Sequence, residues 1–207
     1  HFIVNGYKFN STLPGEYNVY NVLGVIATCN ILDIDSSSIQ KGLLNVVVPG
    51  RCERIGYKYN IPFDIVIDFA HTPDGLKNIL ETLKPFAKNR LIAVYGSGGD
   101  RDKVKRAELG RVGTELADFV IVTSDNPRKE EPMAVIREIV AGITKTNYIA
   151  IENRKEAIKM AIDMAEEGDV IVLAGKGHET YQILKDGKIH FDEREIVDEI
   201  LKDKKKN

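Results

Sequence analysis

Two regimes of hydrophobic patterning divide the chain near residue 50. In the first, residues 1–13 alternate around Asn5-Gly6, a dipeptide suited to a tight β-hairpin turn. Pro14-Gly15 breaks the chain, and from Glu16 the residues Val19, Leu23 and Ile26 recur at helical spacing. A second short helix is expected over Ser36–Leu44, and the run Val46–Gly50 closes on Pro49-Gly50, where a domain boundary is expected. In the second regime, Arg51–Asn60 reads as another hairpin. Continuous apolar runs then predict strands at Ile65–Phe69, Leu91–Tyr95, Phe119–Thr123, Tyr148–Ile151 and Val170–Ala174. Between them lie amphipathic stretches striped by Leu76, Ile79, Leu80 and Leu83; by Leu109, Val112 and Leu116; by Ile136, Ile139, Val140 and Ile143; and by Ile158, Ala161, Ile162 and Ala165. Apolar strands alternating with such helices predict a doubly wound α/β fold with a mostly parallel sheet covered on both faces. A last hairpin is expected around Asp186-Gly187. The final helix starts at Asp192, with Glu195 placed as in a capping box and a solvated, frayed Lys-rich end after Leu201.

The polar residues are distributed unevenly between the two edges of that sheet. The segments leaving the helices are plain: Lys88-Asn89, Asp118, Lys145-Thr146-Asn147 and Glu167-Gly168-Asp169. The segments leaving the strands are dense in chemistry: Asp68–Asp74, Gly96–Asp102, Ser124–Arg128 and Gly175–Glu179. Ligands of open parallel sheets bind at the carboxyl ends of the strands, so four such loops on one edge predict a single site. Each loop alone has a plainer reading. Asp68 and Asp74 suit caps of the helix after Pro73, Asn126-Pro127 suits a turn, and His71 suits a structural role. The glycines of Gly96–Asp102 suit either a flexible turn or a cradle of backbone N–H groups for an anion, with Arg101 adding a planar fork. No Gly-x-x-x-x-Gly-Lys-Ser/Thr run occurs, and Gly175-Lys176-Gly177 is too short to replace it, so the sequence holds no complete cradle for ATP phosphates.

Composition narrows the functional classes. With 207 residues, 43% of them hydrophobic and 29% charged, the chain can bury an ordinary globular core. Its formal net charge of -2 provides no general basic field for nucleic acid or an acidic membrane. No apolar run is long enough to span a bilayer, and the first 20 residues lack a secretory pattern. Cys29 and Cys52 have no metal-type spacing and read as reduced thiols of a cytoplasmic protein. The start at His1, inside a predicted strand, leads to the expectation of a fragment of a longer polypeptide.

Taken in order, these motifs resemble the Mur ligase family. Leu13–Asn21 is similar to the segment opening the last helices of the family's central ATPase domain, and Val48–Glu53 to the junction with its C-terminal domain. Asp68–Asp74, Gly98–Asp102, Asp125–Arg128 and Gly175–Glu179 follow in matching order and spacing, so the resemblance covers essentially the whole chain. It implies that residues 1–49 are the C-terminal remnant of the central P-loop ATPase domain and that residues 50–207 are the Mur ligase C-terminal domain. It further implies two reaction steps: ATP, with Mg2+, converts the D-glutamyl γ-carboxylate of UDP-MurNAc-L-Ala-D-Glu to an acyl phosphate, and an incoming amine displaces phosphate to form an amide. The phosphate loop, the metal ligands and the UDP-sugar domain would lie outside this chain, which alone is expected to be inactive. By the same resemblance Asn21, Arg51, Asp68 and His71 would contact the nucleotide, with Arg51 suited to phosphates and Asp68 to ribose. Arg101, Asn126, Arg128, Gly175 and Glu179 would form the pocket for the incoming amino acid.

The chemistry of that pocket favours meso-diaminopimelate. Its far end carries a carboxylate suited to Arg128 and an ammonium suited to Glu179, whereas L-lysine offers Arg128 no far carboxylate. Two alternatives stand beside this reading. One is a related ligase, a folylpolyglutamate synthase or another amino-acid-adding member such as a lysine-adding one, although those lack Asn-Pro-Arg followed by Gly-Lys-Gly-His-Glu at this spacing. The other is a non-catalytic module that captures an amino acid or nucleotide. No nucleic-acid or membrane partner is expected.

Overall fold

The computed structural model describes residues 1–205; the last two residues of the Lys-rich end lie outside the described residues. The chain divides into two compact units, His1–Val48 and Pro49 onward. In the first, β1 (Phe2–Val4) and β2 (Tyr7–Phe9) pair antiparallel, with Phe2 opposite Phe9. Asn5 and Gly6 between them both have positive φ, 49° and 81°, which the two-residue turn matched to strand twist requires. Helices α1 (Glu16–Ile31) and α2 (Ser36–Asn45) follow. The buried line of α1 is Asn18, Val22 and Ile26, at steps of four, while Val19 and Leu23 are half-buried on its flank. Asp35 caps α2 by accepting from the backbone N–H groups of Ser37 and Ser38. Phe9, Val22, Ile26, Ile39 and Leu43 close this unit's small core.

The second unit is built on a six-stranded sheet ordered β3-β4-β8-β5-β6-β7. The strands are β3 (Glu53–Ile55), β4 (Asp64–Asp68), β5 (Leu91–Tyr95), β6 (Phe119–Thr123), β7 (Tyr148–Ile151) and β8 (Val170–Ala174). β4 to β8 all run parallel, and β3 is an antiparallel edge. The expected hairpin within Arg51–Asn60 does not form. Only Glu53–Ile55 is extended, and its partner is β4; a single 3-10 turn, Tyr57–Tyr59, follows it. Left-handed Gly56 and Asn60 bracket that turn and reverse the chain without a second strand.

Alternate residues along each parallel strand enter different cores, as the two-residue side-chain period requires. Ala93, Val120 and Val172 pack with Leu76, Leu80, Leu109, Ile136 and Ile139 of α3 (Pro73–Leu83), α4 (Val104–Leu116) and α5 (Pro132–Val140). Ile92, Ile121 and Ile171 pack on the other face with Ile158, Ile162, Val197 and Leu201 of α6 (Arg154–Met164) and α7 (Glu193–Lys204). Helices therefore cover both faces, which is the doubly wound arrangement. β9 (Tyr181–Leu184) and β10 (Gly187–His190) form a separate hairpin after β8.

Three local expectations are corrected. The cap of α3 is Thr72, whose side chain accepts from Gly75 N–H; Asp68 and Asp74 do not cap it. At α7 Asp192 caps through Arg194 N–H, but Glu195 turns to His190 instead of closing a capping box. The Lys-rich end is helical to Lys204, whose ammonium donates to Ile162 O, so fraying does not begin at Leu201.

Candidate functional site

Strand order brings the polar loops together. β4, β8, β5 and β6 are neighbours, so the loops leaving their carboxyl ends are contiguous although β8 follows β5 by 74 residues of sequence (170 less 96). The loops after β5 and β6 lie close: Gly99 N–H donates to Asn126 O at 2.8 Å, and a Cβ on Gly99 would sit 1.9 Å from Pro127 O. Gly175, at φ 115°, occupies a conformation that L side chains avoid, and its Cβ would meet Asp125 Oδ2 at 2.7 Å. The β9–β10 hairpin closes the group through Arg128 N–H donating to Ile183 O and Ile183 N–H donating to Asn126 Oδ1.

Between these loops lies a cleft of about 470 Å³. Arg101, Asn126, Arg128, Gly175 and Glu179 all line it, as does His71. Its charges are mixed: Arg101, Lys105 and Arg128 against Asp102, Asp125 and Glu179. Arg128 sits at φ 55° and its buried Nε has no hydrogen-bond partner among the described residues. Glu179 Oε2 accepts from Asn126 Nδ2 at 2.9 Å and from the Lys176 ammonium at 3.1 Å. Burial raises the Glu179 pKa, but those hydrogen bonds and the Lys176 charge prevail and hold it below the usual carboxylate range.

Arg51 and Asp68 lie beside the cleft and do not line it. Asp68 is buried; its Oδ1 accepts from Ala70 N–H and its Oδ2 from Cys52 N–H, each at 2.8 Å. Burial pushes its pKa upward despite those two bonds and the nearby Arg51. By holding Cys52, Asp68 fixes the position of Arg51, whose guanidinium lies 5.1 Å from the Phe69 ring centroid. His71 and His178 also meet that ring, at 4.7 and 5.2 Å. Asn21 belongs to the first compact unit, where its exposed side chain donates to Asn18 Oδ1.

Of the two readings of Gly96–Asp102, turn or anion cradle, the cradle is reduced by two N–H groups already bonded within the protein. Gly99 N–H is taken by Asn126 O, and Asp100 N–H donates to Glu130 Oε1 at 2.6 Å. This loop is instead held from below by Arg106, fully buried, which bonds both oxygens of Glu130, Glu138 Oε2 and Gly98 O. The Arg106 hydrogen bonds, with that from Asp100, outweigh burial and lower the Glu130 pKa to about 2. A folded pKa below the unfolded one contributes stability above about pH 4.5 that is lost as pH falls toward 2. The Tm of the wild type should therefore fall through that window more steeply than that of Glu130→Gln. Equal slopes in a Tm-against-pH series would contradict the pairing.

Sequence reasoning missed Lys176, Asp125 and the Arg106–Glu130 clamp. Lys176 carried a signal, a charge between two glycines directly after the fully buried strand β8. The clamp carried none, because its partners are 24 residues apart.

The second unit is thus a doubly wound domain with a mixed-charge cleft at the carboxyl edge of its parallel strands. Residues 50–177 match the family described as Mur ligase, glutamate ligase domain, and the chain belongs to that family. Relatives named UDP-N-acetylmuramoyl-L-alanyl-D-glutamate--2,6-diaminopimelate ligase include those of Clostridium perfringens, 58% identical over 95% of this chain, and Clostridium tetani, 55% identical over 96%. The chain spans 41% of the length of each. A solved structure of a ligase of the same name superposes with a TM-score of 0.73 at 34% identity, covering 96% of this chain and 41% of its own. Mycobacterium tuberculosis folylpolyglutamate synthase, complexed with ADP and AMPPCP, shares the fold at a TM-score of 0.65 and 24% identity, over 81% of this chain and 39% of its own.

Proposed function

We propose that this chain is the amino-acid-receiving part of an ATP-dependent ligase that joins meso-diaminopimelate to UDP-MurNAc-L-Ala-D-Glu in the cytoplasmic building of peptidoglycan. The observation that carries the reading is the pairing of opposite charges in one cleft. Arg128 and Glu179 stand on loops whose strands are both neighbours of β5, and Asn126 bonds Glu179 directly. The far end of diaminopimelate carries both a carboxylate and an ammonium. A guanidinium with an unpartnered Nε suits the first and a carboxylate held ionised suits the second. Arg101 and Gly175 complete the pocket in this reading, and the names of the relatives support its substrates.

In this reading residues 1–49 end the central ATPase domain and residues 50–207 form the C-terminal domain. Arg51 and His71, both against Phe69, offer a cation and a ring to the nucleotide, while Asp68 acts by anchoring the residue next to Arg51. Asn21, in the first compact unit, is by the family resemblance assigned to the nucleotide as well. ATP supplies phosphoryl activation of the D-glutamyl carboxylate. The share of this chain is to bind the diamino acid, orient its reacting amine and exclude the wrong side chain, which is catalysis by positioning. Among the described residues no group of three or more His, Cys, Asp or Glu side chains is placed to hold a metal ion. The family resemblance assigns the ligands of Mg2+ to the central ATPase domain.

The full-length polypeptide, given ATP, Mg2+, UDP-MurNAc-L-Ala-D-Glu and meso-diaminopimelate, should form the tripeptide product and ADP. The 207-residue chain under the same conditions should form neither, because its sequence has no phosphate loop. Absence of amide formation by the full-length protein would refute the proposal, and turnover by this chain alone would refute its division of labour.

A further inference from the structure

Lys176, the second residue after β8, is fully buried, yet it carries an ammonium. A cation in that position is tolerated only where acceptors surround it. All of its polar partners belong to the cleft: Asn126 Oδ1 at 3.2 Å, Glu179 Oε2 at 3.1 Å and Asp125 Oδ1 at 3.7 Å. The rings of Tyr181 and Phe191, each 5.8 Å from its Nζ, complete the enclosure.

The consequences run through Asn126. Its Oδ1 receives two donors, Lys176 Nζ and Ile183 N–H, which fixes the orientation of the amide. Nδ2 is thereby turned toward Glu179 Oε2. That oxygen holds two donors, from Asn126 and from Lys176, while among the described residues Oε1 has only the Tyr181 hydroxyl at 3.5 Å. Lys176 also offsets one of the two carboxylates beside it, so Asp125, Glu179 and Lys176 together carry a formal charge of about -1 rather than about -2.

We propose that Lys176 is a positioning residue that commits Glu179 Oε2 and the Asn126 amide to the protein, leaving Glu179 Oε1 as the acceptor for a single ligand ammonium. The inference rests on the assignment of the cleft to a diamino acid, but its first consequence is visible without any ligand. Lys176, His178 and Tyr181 face Glu179 from its own segment, and Asp125 and Arg128 from the loop after β6 and Arg101 from the loop after β5 line the same cleft. Loss of Lys176 leaves two neighbouring carboxylates without their shared cation, which raises the pKa of Glu179, and it removes one of the two donors that hold the Asn126 amide oxygen.

The test is an acid titration of the isotope-labelled chain by NMR, following the Glu179 side-chain carboxyl carbon and the Asn126 side-chain NH2 protons. Lys176→Met keeps the stem and removes the charge. Lys176→Met combined with Asp125→Asn also relieves the unpaired carboxylate and serves if the single variant fails to fold. In either folded variant the Glu179 titration should move upward by about one pH unit or more, and the Asn126 NH2 proton facing Glu179 should shift from its wild-type position, the two protons staying distinct because rotation about the amide bond is slow. Unchanged Glu179 and Asn126 signals would overturn the inference. A second arm adds meso-diaminopimelate to the full-length protein, where Lys176→Met should weaken binding by roughly tenfold. If the NMR changes occur while the wild type binds no diaminopimelate, the diamino-acid reading fails and the positioning of Glu179 by Lys176 stands.

Discussion

Replacing Arg154 with methionine should cost about 3–5 kcal/mol of stability, the largest effect expected of a single substitution outside the cleft. Arg154 and Glu193, the first residues of α6 and α7, have side chains only 0% and 1% exposed and meet at 2.8 Å. Arg154 also donates to Ala174 O at 2.8 Å, so one side chain ties both helices of that face to the end of β8, directly before Gly175. The single substitution strands a buried carboxylate, which is where the cost arises. The pair itself contributes little net stability, because removing two charges from water offsets their attraction. Moreover, Arg154 NH1 and Glu193 Oε2 have no partner among the described residues. Arg154→Met with Glu193→Met should therefore recover most of the loss. Urea denaturation of the two variants checks this, and a double variant as unstable as the single one would contradict it.

Arg128→Ala in the full-length ligase should weaken apparent affinity for meso-diaminopimelate by on the order of ten- to a hundredfold, from roughly 1.5–3 kcal/mol for a charged hydrogen bond. The Michaelis constant for ATP should change little, since Arg128 is assigned to the other substrate. Backbone geometry provides a control. At φ 55° Arg128 occupies a left-handed conformation costly for any residue with a Cβ. Arg128→Gly removes the guanidinium and relieves that cost, so it should lose the same affinity at equal or greater stability. Steady-state kinetics with thermal melts on both variants separates the functional role of the side chain from a structural one. Unchanged diaminopimelate kinetics would make Arg128 a solvated loop residue.

Much of the second unit was legible because its signals are local. Leu91–Tyr95 and Val170–Ala174 are continuous apolar runs that suit only a strand buried on both faces, and Leu76, Ile79, Leu80 and Leu83 mark one helical face. What resisted reading depends on distant partners. Nothing near Val170 indicates that β8 inserts between β4 and β5, yet that insertion sets Gly175 against Asp125 and Lys176 against Asn126. The segment after Arg51 looked like a hairpin because its alternation is real, but its partner strand is β4. The glycines after β5 suit a turn or an anion cradle alike by sequence, because nothing local shows that Asn126 and Glu130 use the Gly99 and Asp100 N–H groups. Arg101, Asn126, Arg128, Gly175 and Glu179 were legible as a group because the parallel fold sends all strand-end loops to one edge; the assignment of their ligand rests on charge pattern and resemblance.

The most direct measurement is the ratio of kcat/KM for meso-diaminopimelate to that for L-lysine, taken with the wild-type full-length protein under one set of conditions. A cleft that pairs Arg128 with a far carboxylate should prefer diaminopimelate by at least roughly tenfold, because lysine leaves that guanidinium desolvated without a partner. Equal use of the two amino acids, or a preference for lysine, would contradict the account.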